Sequence, residues 1–220
     1  MPQFVISADI GKAADYTALS VIEYKSIGDN KNSLNAQYEY HIRHLERPPL
    51  GTPYPEVLKK ISRLADHPVI QQDSMIVVDA TGVGAPIVDM LREKHPLLVA
   101  ITITSGNNVN EVSKYNYTVP KRDLISNLQV LYQSHQIKIA REIPEAETLI
   151  KELLSFKVKI STSGHDSYEA WREGIHDDLV LSVALGCWYH ERDKLSNYVF
   201  PQSTDLFLDD LQAENKYSSY

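Results

Sequence analysis

The chain has 220 residues, 43% of them hydrophobic and 23% charged, so it can bury a substantial core without covalent staples. Its single cysteine, Cys187, excludes an internal disulfide, and no run nears the roughly 18 apolar residues of a membrane span. A net charge of −7 excludes a protein that coats nucleic acid by bulk charge. An enzyme that gathers carboxylates around cations is still allowed, because bound ions reverse the local sign.

The opening segment MPQFVISADIGK has no basic stretch and no long apolar run, so it reads as a strand and not a signal peptide. Residues 3–8 and 17–24 are rich in β-formers, and the turn-like DIGKAADY between them predicts a hairpin or close strand pair. A polar stretch, 26–35, precedes a third strand over 36–45, and ERPPLGTPYP is a proline-rich connection. Val57, Leu58, Ile61 and Leu64 share one face of a helix over 56–65. SMIVV is a short buried strand ending at Asp79, and ATGVGAP turns the chain into a helix over 87–94. Another buried strand spans 97–103. Strand, helix, strand, helix and strand in this order predict a parallel section with right-handed crossovers.

Residues 104–118 form a polar connection, rich in Asn and Ser, expected to be mobile and to gate access to a site. Pro120 opens a helix over 121–134. A short strand at 137–140, a helix over 145–154, and edge strands at 156–160 and 168–171 follow. The last helix, 177–191, is strongly apolar at its start. Residues 1–192 are expected to form the domain. Residues 193–220 form an acidic tail whose segment 205–214 holds Asp205, Asp209, Asp210 and Glu214 and no base. Cys187, between Gly186 and Trp188, fits a packing role.

Three acidic motifs stand out. Asp9 and Asp79 each end a strand before a glycine turn, and His176-Asp177-Asp178 opens the apolar helix. Singly, each has an ordinary use as a turn residue or a helix cap. Together they require more, because carboxylates about 4 Å apart repel by roughly 4 kcal/mol at an effective dielectric near 20. A helix N-terminus returns only ~0.3–1 kcal/mol. Divalent metal offsets such repulsion, and hard oxygen donors suit Mg2+ or Mn2+. Two such ions can clamp the attacking and leaving oxygens of a phosphodiester. Asp178 shares a helix face with Ser182 and Leu185 and is expected to face inward, with Asp177 as the cap.

ADIGKAADYTALSVIEY, IVVDATGVGAPIVDMLR, VPKRDLI and HDDLVLSVALG resemble, in this order, the nuclease domain of the large terminase subunit of tailed phages. The resemblance runs from Gln3 to about Glu191. It implies an α/β, RNase H-like fold related to the RuvC resolvases. The expected sheet is mixed, its first three strands antiparallel and its later strands parallel, with flanking helices. It implies metal-dependent endonucleolytic cutting of concatemeric viral DNA during packaging, with Asp9, Asp79 and Asp178 catalytic. Mg2+ or Mn2+, in a two-metal site, would be held by these three with Asp177 and Asp15 as further candidates. Lys121 and Arg122 become candidates for contacts to the phosphates of double-stranded DNA, and His176 could touch the site or a phosphate. Implied partners are a terminase small subunit, a portal or a separate ATPase motor, in the cytoplasm of the host bacterium, with no membrane. The pattern is incomplete in one respect: GxxxxGK[ST] is absent, so no ATP site is expected, and the chain reads as an excised nuclease domain or a stand-alone product.

Three rival classes compete with this reading. Sugar-kinase and actin-like ATPases need two lobes, for which 220 residues are too few. A RuvC-like junction resolvase would use the same chemistry on a branched substrate. A non-catalytic interaction module would have no need of acids at all three motifs.

Overall fold

A computed structural model of the chain describes residues 3–11, 15–28, 36–162 and 176–199. The elements are β1 (Phe4–Asp9), β2 (Ala18–Ile27), β3 (Gln37–Glu46), α1 (Tyr54–Ala65), β4 (Ser74–Asp79), α2 (Gly84–Arg92), β5 (Val99–Thr104), β6 (Asn110–Ser113), β7 (Asn116–Pro120), α3 (Lys121–Gln133), β8 (Ile137–Ile139), α4 (Ala146–Thr162) and α5 (Asp178–Val199). The strands form one mixed sheet in the order β6-β7-β5-β4-β1-β2-β3-β8. β1, β2 and β3 form an antiparallel meander, and β4, β5 and β7 run parallel to β1. This is the expected RNase H-like arrangement, a meander on one side of β1 and a parallel section on the other.

Strand direction, more than strand order, gathers the acidic motifs. β8 runs parallel to β3, and β6 antiparallel to β7. Every described strand except β2 and β6 therefore ends at the same edge of the sheet. That edge receives the ends of β1 and β4, the residue after β3 and the start of α3.

Strand alternation divides the core. Ile6, Ala8, Val78 and Leu19 face α1 and α2, whereas Val5, Val77 and Ile22 face α3, α4 and α5. Asp9 and Asp79 continue the odd-numbered face and so lie on the α5 side. Helix α5 packs on β1 and β2 at close range because its contact stripe is small. Ser182 Oγ donates to the Ser7 carbonyl at 3.0 Å and lies 2.9 Å from Ser20 Oγ, itself 2.8 Å from Ser7 Oγ. A Cβ on Gly186 would meet Ile22 Cδ1 and Ser7 Oγ at 2.8 Å. Gly186→Val is accordingly expected to cost roughly 1–3 kcal/mol by overpacking, read as a lower urea midpoint at unchanged slope.

Three expectations change. Residues 156–160, with Lys alternating between Phe156, Val158 and Ile160, continue helix α4. Period-two alternation is a weak signal over five residues, and no proline or glycine interrupts the helix before Thr162. The polar 104–118 connection contains β6 and the start of β7, because Tyr117, Thr118 and the following Val119 extend the sheet against β5. Helix α5 runs on to Val199, so the division at 192/193 falls inside it. The strand expected at 168–171 and the tail after residue 199 lie outside the described residues. No described helix is long and apolar enough to cross a membrane.

Candidate active site

Parallel register puts Ser7 opposite Val77 and Ala8 opposite Val78, which brings the next residues, Asp9 and Asp79, side by side. Both are buried, at 8% exposure each. Burial, then the charges of Asp79, Asp178 and Asp177, push the Asp9 carboxyl well above the ordinary carboxylate range, with the charge of Lys121 opposing them. Asp79 is raised by burial despite hydrogen bonds from Thr81, the charge of Lys121 and a hydrogen bond from Asp9. Its Oδ1 accepts from the Thr81 amide at 2.8 Å and from the Thr81 hydroxyl at 2.5 Å. Thr81 Oγ1 in turn accepts from the Ile103 amide at 2.8 Å, which ties the Asp79 carboxylate to β5.

Each of these strands leaves the site through a glycine that cannot be replaced freely. A Cβ on Gly84 would lie 1.9 Å from the Asp79 carbonyl oxygen, and one on Gly11 would lie 2.2 Å from the Asp15 carbonyl oxygen. Gly84→Ala is expected to cost on the order of 3 kcal/mol and to weaken any activity that needs Asp79 in place. Thermal unfolding beside a cleavage assay checks both.

Helix α5 supplies the third acid. Asp177 sits at the cap position, its carbonyl accepting from the Leu181 amide at 2.9 Å, and its carboxylate takes the Lys121 ammonium at 2.7 Å. Asp178, 7% exposed, points inward. Its Oδ2 accepts no hydrogen bond although buried. It lies 3.8 Å from Arg47 Nη2 and 3.7 Å from His176 Nδ1. Burial raises its pKa to about 6 against the lowering effect of Arg47. Asp15 is exposed, and its charge also reaches Asp178. The His176 ring meets Tyr16 edge-on at 5.0 Å. Arg122 donates to the Asn107 carbonyl at 3.0 Å and pairs with Asp123 at 3.3 Å.

Two residues of the site fall outside the sequence motifs. Glu152 of α4, 5% exposed, accepts the Val180 amide at 3.2 Å, one of the unpaired amides at the start of α5. Its other oxygen takes Arg47 Nη2. Burial pushes its carboxyl up to about 7, with Arg47 opposing. Arg47, which follows β3, also lies over the Tyr16 ring at 5.0 Å. A signal for Glu152 exists: it repeats the buried face of Ala146 and Leu149 at helical spacing, where an apolar residue is expected. Arg47 has no comparable signal.

The donor chemistry here suits a hard divalent cation. Asp9, Asp79 and Asp178 offer only oxygen, the pKa values of all three stay raised despite the charges of Lys121 and Arg47, and Asp178 Oδ2 is buried without a hydrogen-bond partner. The carboxylates do not close on a common point, and among the described residues no three His, Cys, Asp or Glu side chains form a metal-holding group. Asp9 and Asp79 are the close pair, while Arg47 and Lys121 stand against Asp178 and Asp177.

No protein-family model matches the chain, and no curated protein does. The fold is similar to that of a phage large terminase nuclease. The zinc-bound structure of this nuclease from thermophilic phage G20c is 22% identical, covering 84% of this chain and 80% of that one, with a TM-score of 0.47. Its magnesium-bound structure is 20% identical, covering 85% and 81%, with a TM-score of 0.48.

Proposed function

We propose that the chain is a divalent-metal-dependent endodeoxyribonuclease that hydrolyses phosphodiesters of double-stranded DNA. It would act as a terminase-type nuclease on concatemeric viral DNA in the host cytoplasm. The observation that carries this reading is the buried Asp9–Asp79 pair facing Asp178, whose inward oxygen has no hydrogen-bond partner. Bound Mg2+ or Mn2+, one or two ions, would supply positive charge on the phosphate and an activated water.

The chain's own groups do the rest. Asp9, Asp79 and Asp178 hold the cation, with Asp177 and Asp15 at its margin. Thr81 fixes the Asp79 carboxylate by two hydrogen bonds to one of its oxygens. Lys121 and Arg122, at the start of α3 on the same edge of the sheet, lie where DNA phosphates would approach. The β6–β7 hairpin ends at this edge and would border the duplex. A small subunit, a portal or a separate motor would bring DNA to the site.

The test is plasmid cleavage in Mg2+, Mn2+ and EDTA, with linear duplex and four-way junction compared at equal concentration. Nicking and linearisation in either metal and none in EDTA are expected, without preference for the junction. Exclusive cutting of the junction would replace this reading with a resolvase. No cutting in any metal would remove it.

A further inference from the structure

Arg47 and Glu152 support a second assignment, which rests on the nuclease reading in that it takes Asp178 as a cation ligand. Both oxygens of Glu152 are engaged, one by the Val180 amide and the other by Arg47 Nη2. The guanidinium is thereby tethered to α4 and laid over Tyr16. It stops 3.8 Å from Asp178 Oδ2, too far for a hydrogen bond. A free arginine–carboxylate pair closes to about 2.7–2.9 Å, often through two parallel bonds. Here Arg47 Nε is buried without an acceptor, and Asp178 Oδ2 is buried without a donor. The pair is held open by the stronger claim of Glu152.

We propose that Arg47 is a built-in counter-ion of Asp178 that competes with a divalent cation for its free carboxylate oxygen, and that Glu152 limits how far Arg47 can close on it. A guanidinium beside Asp178 offsets part of the negative charge a divalent cation needs and repels the cation itself. Held at this distance it lowers the cost of the buried carboxylate without sealing the ligand. Removing Arg47 therefore strengthens cation binding. Removing the Glu152 charge frees Arg47 to close on Asp178 and weakens it. A scaffold that merely positions α5 predicts a different pattern, in which both substitutions weaken binding.

Calorimetric titration of the full chain with Mn2+ at pH 8 and fixed ionic strength separates the two. Arg47→Met is expected to bind Mn2+ on the order of tenfold more tightly, and Glu152→Gln several-fold more weakly. The double variant Arg47→Met/Glu152→Gln removes both members of the Arg47–Glu152 pair and leaves no unpaired charge at Glu152, so it covers the case in which the single Arg47 change unfolds the protein. It is expected to bind at least as tightly as wild type. Weaker binding by Arg47→Met or by the double variant overturns the assignment, as does unchanged affinity in both single variants. If wild type binds and cuts with Mn2+, such a result sinks this assignment alone. If wild type neither binds Mn2+ nor cuts, both this and the nuclease reading fall.

Discussion

Asp9→Asn is expected to lower metal-dependent DNA cleavage by about 10³-fold or more, a loss of several kcal/mol of charge stabilisation in the transition state, while making the protein more stable without metal. Asn fills the same space, yet it cannot carry charge beside Asp79, Asp178 and Asp177, the groups that raise the Asp9 pKa after burial. For an acid whose folded pKa is raised, stability is fully present below its unfolded pKa near 4 and is lost as pH rises through the folded value. The advantage of Asn is therefore nil at pH 4 and largest at pH 8. A relief of about 1–2 kcal/mol, well under the ~4 kcal/mol of one bare pair, corresponds to a melting-temperature rise of roughly 3–6 °C for a domain of this size. Plasmid nicking with Mn2+ and thermal unfolding in EDTA at pH 4 and pH 8 provide the two readings. Undiminished cutting removes Asp9 from the chemistry. A melting temperature that falls at pH 8 removes the repulsion argument.

The part of this site that could be read from sequence is the part carried by local pattern. Asp9 and Asp79 each close a short apolar strand, and parallel register then sets them side by side. The inward turn of Asp178 follows from its spacing to Ser182, whose small side chain lets α5 sit against Ser7 and Ser20. What could not be read depends on partners far along the chain. Glu152 meets Arg47 across 105 residues, and only the assembled fold puts the end of β3 beside the start of α5. Lys121 became a candidate phosphate contact through the family resemblance and the sequence-independent pull of positive charge on phosphates. The fold supplies another reason for it, an ion pair with Asp177 at 2.7 Å. The β6–β7 hairpin escaped notice because composition described its polar exposed face, while its pairing depends on β5.

The second large effect concerns pH, because two parts of the fold titrate in opposite senses. His190, 3% exposed, is stacked on Tyr24 at 3.9 Å, edge-on to Tyr38 and Tyr40. Its Nδ1 lies 3.1 Å from the Tyr40 hydroxyl, which donates to Glu191. Burial, then Lys194, pushes the imidazole down to about 3. A histidine that is depressed in the fold contributes stability present above its unfolded pKa near 6.5 and lost as pH falls towards 3, a full swing of roughly 4–5 kcal/mol. Asp178, raised to about 6, and Glu152, raised to about 7, act the other way. Their contribution is complete below pH ~4 and lost as pH rises through 6 to 7. In EDTA the wild-type profile should therefore bend on both sides of a maximum. His190→Phe keeps the ring on Tyr24 but cannot take a proton, so the acid limb between pH 6.5 and 4 should flatten, at a cost of about 1 kcal/mol at pH 8 for the lost polar contact. Glu152→Gln should flatten the neutral limb and leave the acid limb alone. Urea unfolding from pH 4 to 8 measures all three proteins. If the His190→Phe limb keeps the wild-type slope, the acid sensitivity belongs to another group. If both variants flatten their own limb, the two titrations are independent and belong to separate places in the fold, one on α4 beside the proposed cation site and one on α5 in the aromatic core.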